Sequence, residues 1–302
     1  MASFFLHCAP YSVSGRQPSA ESQQPLRIGA LIESAYWIAR AASKGALDST
    51  SQYLDALIAD GRLTVCLGIG TSDLGAIVVS DRPDDARYRC ILQLGGRSIA
   101  VEGRLVTTHA AFARALSECE IVFVQSHSRF GAGPVFYHDG KARPYRMQDD
   151  PQHEVIMPEE EVAGYSGSVR RRYTDPKTQK RYVVFEPDSS DLDATTPLHS
   201  YQLLVFSTCT SIKHFRNAVA RFRGIYPTTA IFTTRPCCMD TQMEIFVGFL
   251  ADIFQGKKID EVVDTMNRTY RTIAERRVRM GIRPWQVVET LFAVGIDTLA
   301  VP

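Results

Sequence analysis

The sequence predicts an α/β fold built on a mostly parallel sheet, and two observations lead to this prediction. First, apolar runs typical of buried strands alternate with amphipathic helical segments along the second half of the chain. Second, two of these runs end alike: 121–127 is Ile-Val-Phe-Val-Gln-Ser-His, and 203–209 is Leu-Leu-Val-Phe-Ser-Thr-Cys. With 302 residues, 45% of them hydrophobic, the chain can bury the core of one large domain.

Composition excludes several classes of protein. The formal net charge of +1 gives no reason to expect nucleic-acid binding. Seven cysteines, an odd number without recurring spacing, argue against a disulfide framework and favour a reducing, cytoplasmic compartment. Neither a signal peptide nor a membrane span is expected, because the opening apolar run is short and no uninterrupted apolar stretch approaches the length of a spanning helix.

The first part of the chain is predicted to be a lead-in followed by helices. Ser, Gln and Pro dominate 11–25, a composition typical of a flexible segment. Apolar residues then recur at helical spacing over 26–46 and 49–60. We therefore expect three parts: a flexible lead-in over 1–25, N-terminal helices over 26–62, and one domain over 63–302.

The domain begins with strand-like segments. Short apolar or alternating runs occupy 63–70, 75–80 and 88–94, separated by Gly, Asp and Pro. A helix with a Thr cap is predicted over 107–117, and it leads directly into the strand that ends at His127.

A turn and a long insertion follow His127. Gly131-Ala-Gly-Pro is predicted to turn into half of a hairpin over 135–140, and 141–198 is predicted to be a long polar insertion. Within the insertion, 169–173 and 180–185 flank Asp175-Pro-Lys-Thr-Gln, a pattern that predicts a second hairpin with a solvated basic face.

The last part alternates helix and strand. After the Cys209 strand we expect the following elements: a helix over 212–222, a strand over 228–234, a helix over 240–255 capped by Asp240, and a helix over 260–280. This alternation is typical of a parallel sheet with crossover connections.

His127 and Cys209 are the candidate catalytic residues. Residues just beyond the carboxyl ends of parallel strands lie where open α/β sheets bind their ligands. An imidazole beside a thiol can take its proton and create a nucleophile, and a following helix N-terminus favours the thiolate. The backbone amides of Ser128 and Cys209 can donate to a developing oxyanion.

These segments resemble the caspase-like cysteine peptidases of clan CD, and they are most similar to the CHAT branch. The resemblance covers roughly 90–280 and rests on an ordered set of elements. They are the helix and strand that lead to His127, the hairpin over 133–140, the Cys strand over 201–211, and the closing βαα segment from Thr228. Ser128 stands where the family usually has Gly, and repeats of the kind that accompany the CHAT branch are absent.

The resemblance implies a caspase-like three-layer α/β/α sandwich that hydrolyses peptide bonds through a thioester acyl-enzyme. It implies no metal or organic cofactor. The loop after strand 228–234 borders the pocket for the residue before the cut in such folds. Arg235 there favours an acidic residue, whereas Asp240 favours Arg or Lys, and the sequence does not choose between them. Ser207, near the end of the Cys strand, completes the predicted substrate-binding set.

Alternatives remain open on the sequence alone. A catalytically inactive scaffold of the same fold can bind a regulatory protein through the insertion. A nucleotide-binding regulator can use Gly68-Ile-Gly70, although no complete phosphate-loop motif is present. A metal hydrolase around His138 and Asp139 is disfavoured, because no HExxH spacing occurs. The expected partner is a protein or peptide substrate.

Overall fold

The computed structural model describes eleven segments: 52–58, 61–69, 85–94, 97–128, 131–138, 141–147, 155–162, 168–185, 190–237, 242–281 and 287–299. The predicted lead-in, the predicted helix over 26–46 and the predicted strand over 75–80 lie outside these residues. The second predicted N-terminal helix is present as helix α1, Gln52–Leu57.

A seven-stranded, mostly parallel sheet forms the centre of the molecule. Its strands are β1 (Arg62–Ile69), β2 (Asp85–Leu94), β3 (Arg97–Val106), β4 (Ile121–Gln125), β10 (Gln202–Ser207), β11 (Thr228–Thr233) and β12 (Phe292–Asp297). Their spatial order is β12-β11-β10-β4-β1-β3-β2. The inner pairs are parallel, and only the edge strands β2 and β12 run antiparallel to their neighbours.

Helices cover both faces of this sheet. They are α2 (His109–Glu118), α3 (Ser211–Arg223), α4 (Gln242–Phe254) and α5 (Ile259–Arg279). Alternate residues of β4 serve the two faces: Ile121 and Phe123 pack with α1, α4 and α5, whereas Val122 and Val124 pack with α2 and α3. The predicted α/β fold with a mostly parallel, helix-flanked sheet is therefore confirmed.

Two strands of the sheet were not anticipated from the sequence. In β3, the buried apolar residues Ile99, Val101 and Leu105 occupy alternate positions, as is typical of a strand. Gly103 interrupts this alternation and obscures the pattern in the sequence. Strand β12 begins with Phe292 and completes the sheet by antiparallel pairing with β11. Both strands lie at or next to the margins of the sheet, where pairing depends on tertiary contacts.

The region after β4 contains two smaller sheets. A hairpin pairs β5 (Val135–His138) with β6 (Lys141–Pro144), so the first residues of the predicted insertion belong to this hairpin. Three further strands, β7 (Val155–Pro158), β8 (Val169–Thr174) and β9 (Arg181–Phe185), form a sheet in the order β7-β9-β8. The predicted hairpin within the insertion is confirmed as β8 and β9.

The insertion has a small core of its own. Val155, Met157, Val183 and Phe185 pack together with Ala132 from the turn that follows β4. All six residues of β8 are exposed, which agrees with the predicted solvated basic face. Among the described helices, none is long and apolar enough to cross a membrane.

Candidate active site

The strand register brings the two predicted catalytic residues to equivalent positions. Strands β4 and β10 are parallel neighbours, and Gln125 pairs with Ser207 at their carboxyl ends. His127 lies two residues after Gln125, and Cys209 lies two residues after Ser207. Because neighbouring strands are about 4.8 Å apart, the chain segments that carry His127 and Cys209 leave the sheet side by side at one edge.

This edge is also where the topology favours ligand binding. The chain leaves β1 toward β2 and β3 on one side of the sheet, whereas it leaves β4 toward β10 on the other side. The carboxyl ends of β1 and β4 therefore flank the topological switch point, where open α/β sheets leave a crevice. His127 follows β4 directly and lies beside this crevice.

Both side chains are half-buried, a state that allows contact with a substrate and also limits hydration. His127 and Cys209 are each of intermediate exposure, and the Cys209 side chain packs on the edge of the core formed with α4 and α5. By contrast, Cys66 and Cys119 are fully buried. The predicted nucleophile is thus more accessible than these two core thiols.

The Cys209 thiol has a lowered pKa. A hydrogen bond with the Cys237 side chain is the largest cause, and backbone hydrogen bonds at Cys237 and Cys209 add to it. Burial opposes these contacts, yet the net effect lowers the pKa from 9.0 to about 6. The protonated thiol donates only weakly, to the Cys237 carbonyl oxygen at 3.8 Å. The lowered pKa favours the thiolate, which is the nucleophilic form of the side chain.

A strained backbone position follows the thiol. Thr210 adopts a left-handed conformation, with φ 54° and ψ 35°, although it is neither Gly nor Asn. Its N–H donates to the Arg235 carbonyl oxygen at 3.1 Å, which holds the two loops side by side. Strain of this kind costs about 1–3 kcal/mol and persists only where neighbouring contacts fix it. Nothing in the amino-acid sequence around Thr210 indicates a left-handed conformation.

Buried hydrogen bonds fix the start of helix α3 behind Cys209. The Ser211 hydroxyl donates to the Phe206 carbonyl oxygen at 2.6 Å and accepts from the Thr233 N–H at 2.8 Å. The Thr233 hydroxyl in turn accepts from the Ser211 N–H at 3.2 Å. These bonds tie α3 to the ends of β10 and β11, so the turn that carries Cys209 is held from both sides.

The turn after His127 is fixed in a similar way. The buried hydroxyl of Ser126 accepts from the Val135 N–H at 2.7 Å and donates to the Val135 carbonyl oxygen at 2.9 Å. The Ser128 carbonyl oxygen accepts from Gly131 and Gly133. The hairpin β5–β6 is thereby anchored next to His127. The signal for this anchor in the sequence is a Ser at the end of an apolar strand, one residue before the candidate His.

The predicted substrate-binding residues have three different outcomes. Arg235 is exposed and lies at the same edge of the sheet as Cys209, because extending the β10–β11 register places the two residues opposite each other. Ser207 is fully buried at the end of β10, so a contact with substrate would require the surrounding chain to open. Asp240 lies outside the described residues.

Two other candidate sites have weaker structural support. Gly68 lies inside strand β1 rather than in a loop, and a Cβ there would meet the Phe136 ring at 3.3 Å. This close approach explains the glycine without a phosphate. Within the segments that the structure describes, no group of three or more His, Cys, Asp or Glu side chains could hold a metal ion.

No family model matches the chain, and no curated protein is significantly similar to it in sequence. The geometry and chemistry of the site are therefore the basis for inferring what this protein does.

Proposed function

We propose that this protein is a caspase-like cysteine endopeptidase with a His127–Cys209 dyad. The observation that carries the proposal is the shared position of the two residues, each two places beyond a register pair on adjacent parallel strands. The lowered pKa of Cys209 supports it independently, because it supplies the thiolate that attack on a carbonyl requires.

In the proposed reaction, Cys209 attacks the scissile carbonyl carbon and forms a thioester. His127 takes up the proton that Cys209 loses, gives it to the leaving amine as the C–N bond breaks, and then activates the water that hydrolyses the thioester. The backbone amides of Ser128 and Cys209 hold the oxyanion during both steps. The fixed turns on either side keep these groups in place without further ordering when substrate binds.

The proposed specificity is for an acidic residue before the cleaved bond. Arg235 is exposed in the loop beside Cys209, and its own carbonyl oxygen accepts from the Thr210 N–H. A guanidinium at that position attracts a carboxylate and repels Lys or Arg. The reducing interior of the cell remains the expected compartment, since the reaction needs a free thiol.

The test is digestion of a fluorogenic peptide panel that carries Asp, Glu, Lys, Arg or a neutral residue before the reporter. We expect hydrolysis to fall to background in Cys209→Ala and by about 10²–10⁴-fold in His127→Ala. Matched controls are His138→Ala, which removes another histidine near the end of a strand, and Cys119→Ala, which removes another free cysteine. Wild-type protein that alkylates at Cys209 but cleaves no peptide in the panel would contradict the proposal.

A second candidate function is protein binding through the insertion, and the exposed edge strand β8 favours it. Its six exposed residues include Arg170, Arg171 and Arg172, and Tyr173 stacks on Tyr182 of β9. A basic edge of this kind fits an acidic, extended peptide that adds as a further strand. Charge reversal at Arg171 and Arg172 should abolish binding of such a peptide and leave Cys209 alkylation unchanged.

A further inference from the structure

The loops that follow β10 and β11 bring two free cysteines together. Cys209 and Cys237 are both free thiols, and the Cys209 sulfur lies 3.8 Å from the Cys237 carbonyl oxygen. A carbonyl oxygen lies about 2.4 Å from its own Cα, so the Cys237 Cα is within about 6 Å of that sulfur. The Cys237 side chain is also the largest cause of the lowered pKa of the Cys209 thiol. A disulfide requires the two Cα atoms to lie within about 7 Å of each other, and this approach of the Cys209 sulfur to the Cys237 backbone is compatible with that limit.

The surrounding contacts keep this approach in place. The Thr210 N–H donates to the Arg235 carbonyl oxygen, which joins the two loops one residue beyond Cys209 and two before Cys237. Cys237 is 5% exposed and packs in the same core cluster that Cys209 borders. A partly exposed thiol next to a buried one is the arrangement of a peroxidatic cysteine and its resolving cysteine.

We infer that Cys209 and Cys237 form a reversible disulfide when a hydroperoxide oxidises Cys209, and that this bond switches the site off. Its effect on hydrolysis rests on the proposed peptidase function, whereas formation of the bond does not. The ordinary role of Cys237 is then to position and activate Cys209, and its second role is to protect the sulfur from irreversible oxidation.

The chemistry proceeds in two balanced steps. The Cys209 thiolate attacks an oxygen of hydrogen peroxide, the O–O bond breaks and hydroxide leaves. Sulfur is thereby oxidised to sulfenic acid, and the peroxide is reduced to hydroxide, which takes up a proton from solvent and becomes water. The Cys237 thiol then loses its proton and attacks the Cys209 sulfur. The S–S bond forms, the S–O bond breaks, and the departing hydroxide takes up the proton as water. Reduction by a dithiol restores both thiols.

The test is treatment of the full chain with hydrogen peroxide, followed by non-reducing tryptic mapping. Trypsin places Cys209 alone in peptide 182–213 and Cys237 with Cys238 in peptide 224–257. We expect these peptides to be joined in the wild type and in Cys238→Ser, but not in Cys237→Ser. In Cys237→Ser, Cys209 should progress to sulfinic acid, and dithiothreitol should no longer restore alkylation by iodoacetamide.

Two results would overturn the inference. One is a bond from Cys209 to Cys238, which would appear as cross-linking that survives Cys237→Ser and disappears in Cys238→Ser. The other is a wild-type Cys209 that stays as trapped sulfenic acid, or is not oxidised, while the protein remains folded. If the disulfide forms but no peptide is ever cleaved, the reversible disulfide stands, whereas the peptidase proposal and the effect of the bond on hydrolysis fail.

Discussion

Titratable side chains at the two ends of the parallel strands have different surroundings. At the amino ends, Glu120 and Arg223 are buried and hydrogen-bonded to neighbouring backbone. At the carboxyl ends, His127 and Cys209 are half-buried, and the thiol makes one long contact with a carbonyl oxygen. The amino ends therefore use buried titratable groups to join segments of the chain, whereas at the carboxyl ends two such groups stay partly exposed.

Arg223 shows how the amino edge works. Its guanidinium donates to the carbonyl oxygens of Leu198 and Ser200 and to the hydroxyl of Thr228, which joins the end of the insertion to the start of β11. Burial lowers the pKa of Arg223 to about 10, so the charge survives at neutral pH. This cation is therefore a structural connector rather than a substrate contact.

The largest predicted effect breaks that connector. Arg223→Met leaves the Leu198 and Ser200 carbonyl oxygens without this donor, and we expect a loss of about 2–4 kcal/mol in the free energy of unfolding. Urea denaturation measures it, with the exposed Arg268→Met as a matched control expected to change stability by less than about 0.5 kcal/mol. At pH 6 or below, where the thiolate contributes little, Cys209→Ser should also change the free energy of unfolding by less than about 1 kcal/mol. A Cys209 variant that destabilises as much as Arg223→Met would remove the contrast between the two edges.

The second prediction concerns the pH dependence of alkylation at Cys209. Because the pKa is lowered to about 6, the iodoacetamide rate should be half-maximal near that pH and level above it. Cys237→Ala removes the largest cause of the shift, so the midpoint should move toward 9.0 and the rate at pH 7 should fall several-fold. An unchanged midpoint in Cys237→Ala would show that other groups stabilise the thiolate.

The same shift has a consequence for stability. The folded pKa of Cys209 lies below its unfolded value, so this thiolate stabilises the fold fully above about pH 9, and the contribution is lost as the pH falls to about 6. The difference in free energy of unfolding between wild type and Cys209→Ser should therefore become smaller at acidic pH. Thermal unfolding between pH 5 and 9 measures the difference.

The smallest predicted effect is at Glu120. Burial raises the pKa of this carboxyl, although its oxygen accepts from the Thr64 N–H at 2.6 Å. A raised carboxyl pKa gives stability that is present at low pH and is lost as the pH rises through the folded value. Glu120→Gln keeps an acceptor oxygen without the charge, so it should stabilise the protein by about 1 kcal/mol or less at neutral pH. Equal stability of the two proteins at pH 7, or a less stable variant, would contradict this account.

Much of the fold was predictable because burial leaves a periodic pattern in the sequence. The strands ending at Gln125 and Ser207 and helices α2, α3, α4 and α5 follow from apolar runs and helical spacing. Strand β3 has a Gly within its alternation, and β12 is an edge strand that pairs only with β11. Those two depend on long-range pairing, which local propensity does not encode.

Apolar strands followed by a His and by a Cys, in the order that the proposed dyad requires, are already visible in the amino-acid sequence. That the two strands are parallel neighbours with Gln125 opposite Ser207 is seen only once the sheet is assembled. The tertiary structure alone brought Cys237 against Cys209 and fixed Thr210 in a left-handed conformation. The physical reason is that register, pKa and backbone strain are set by contacts between segments far apart in the chain, which are formed only when the sheet assembles.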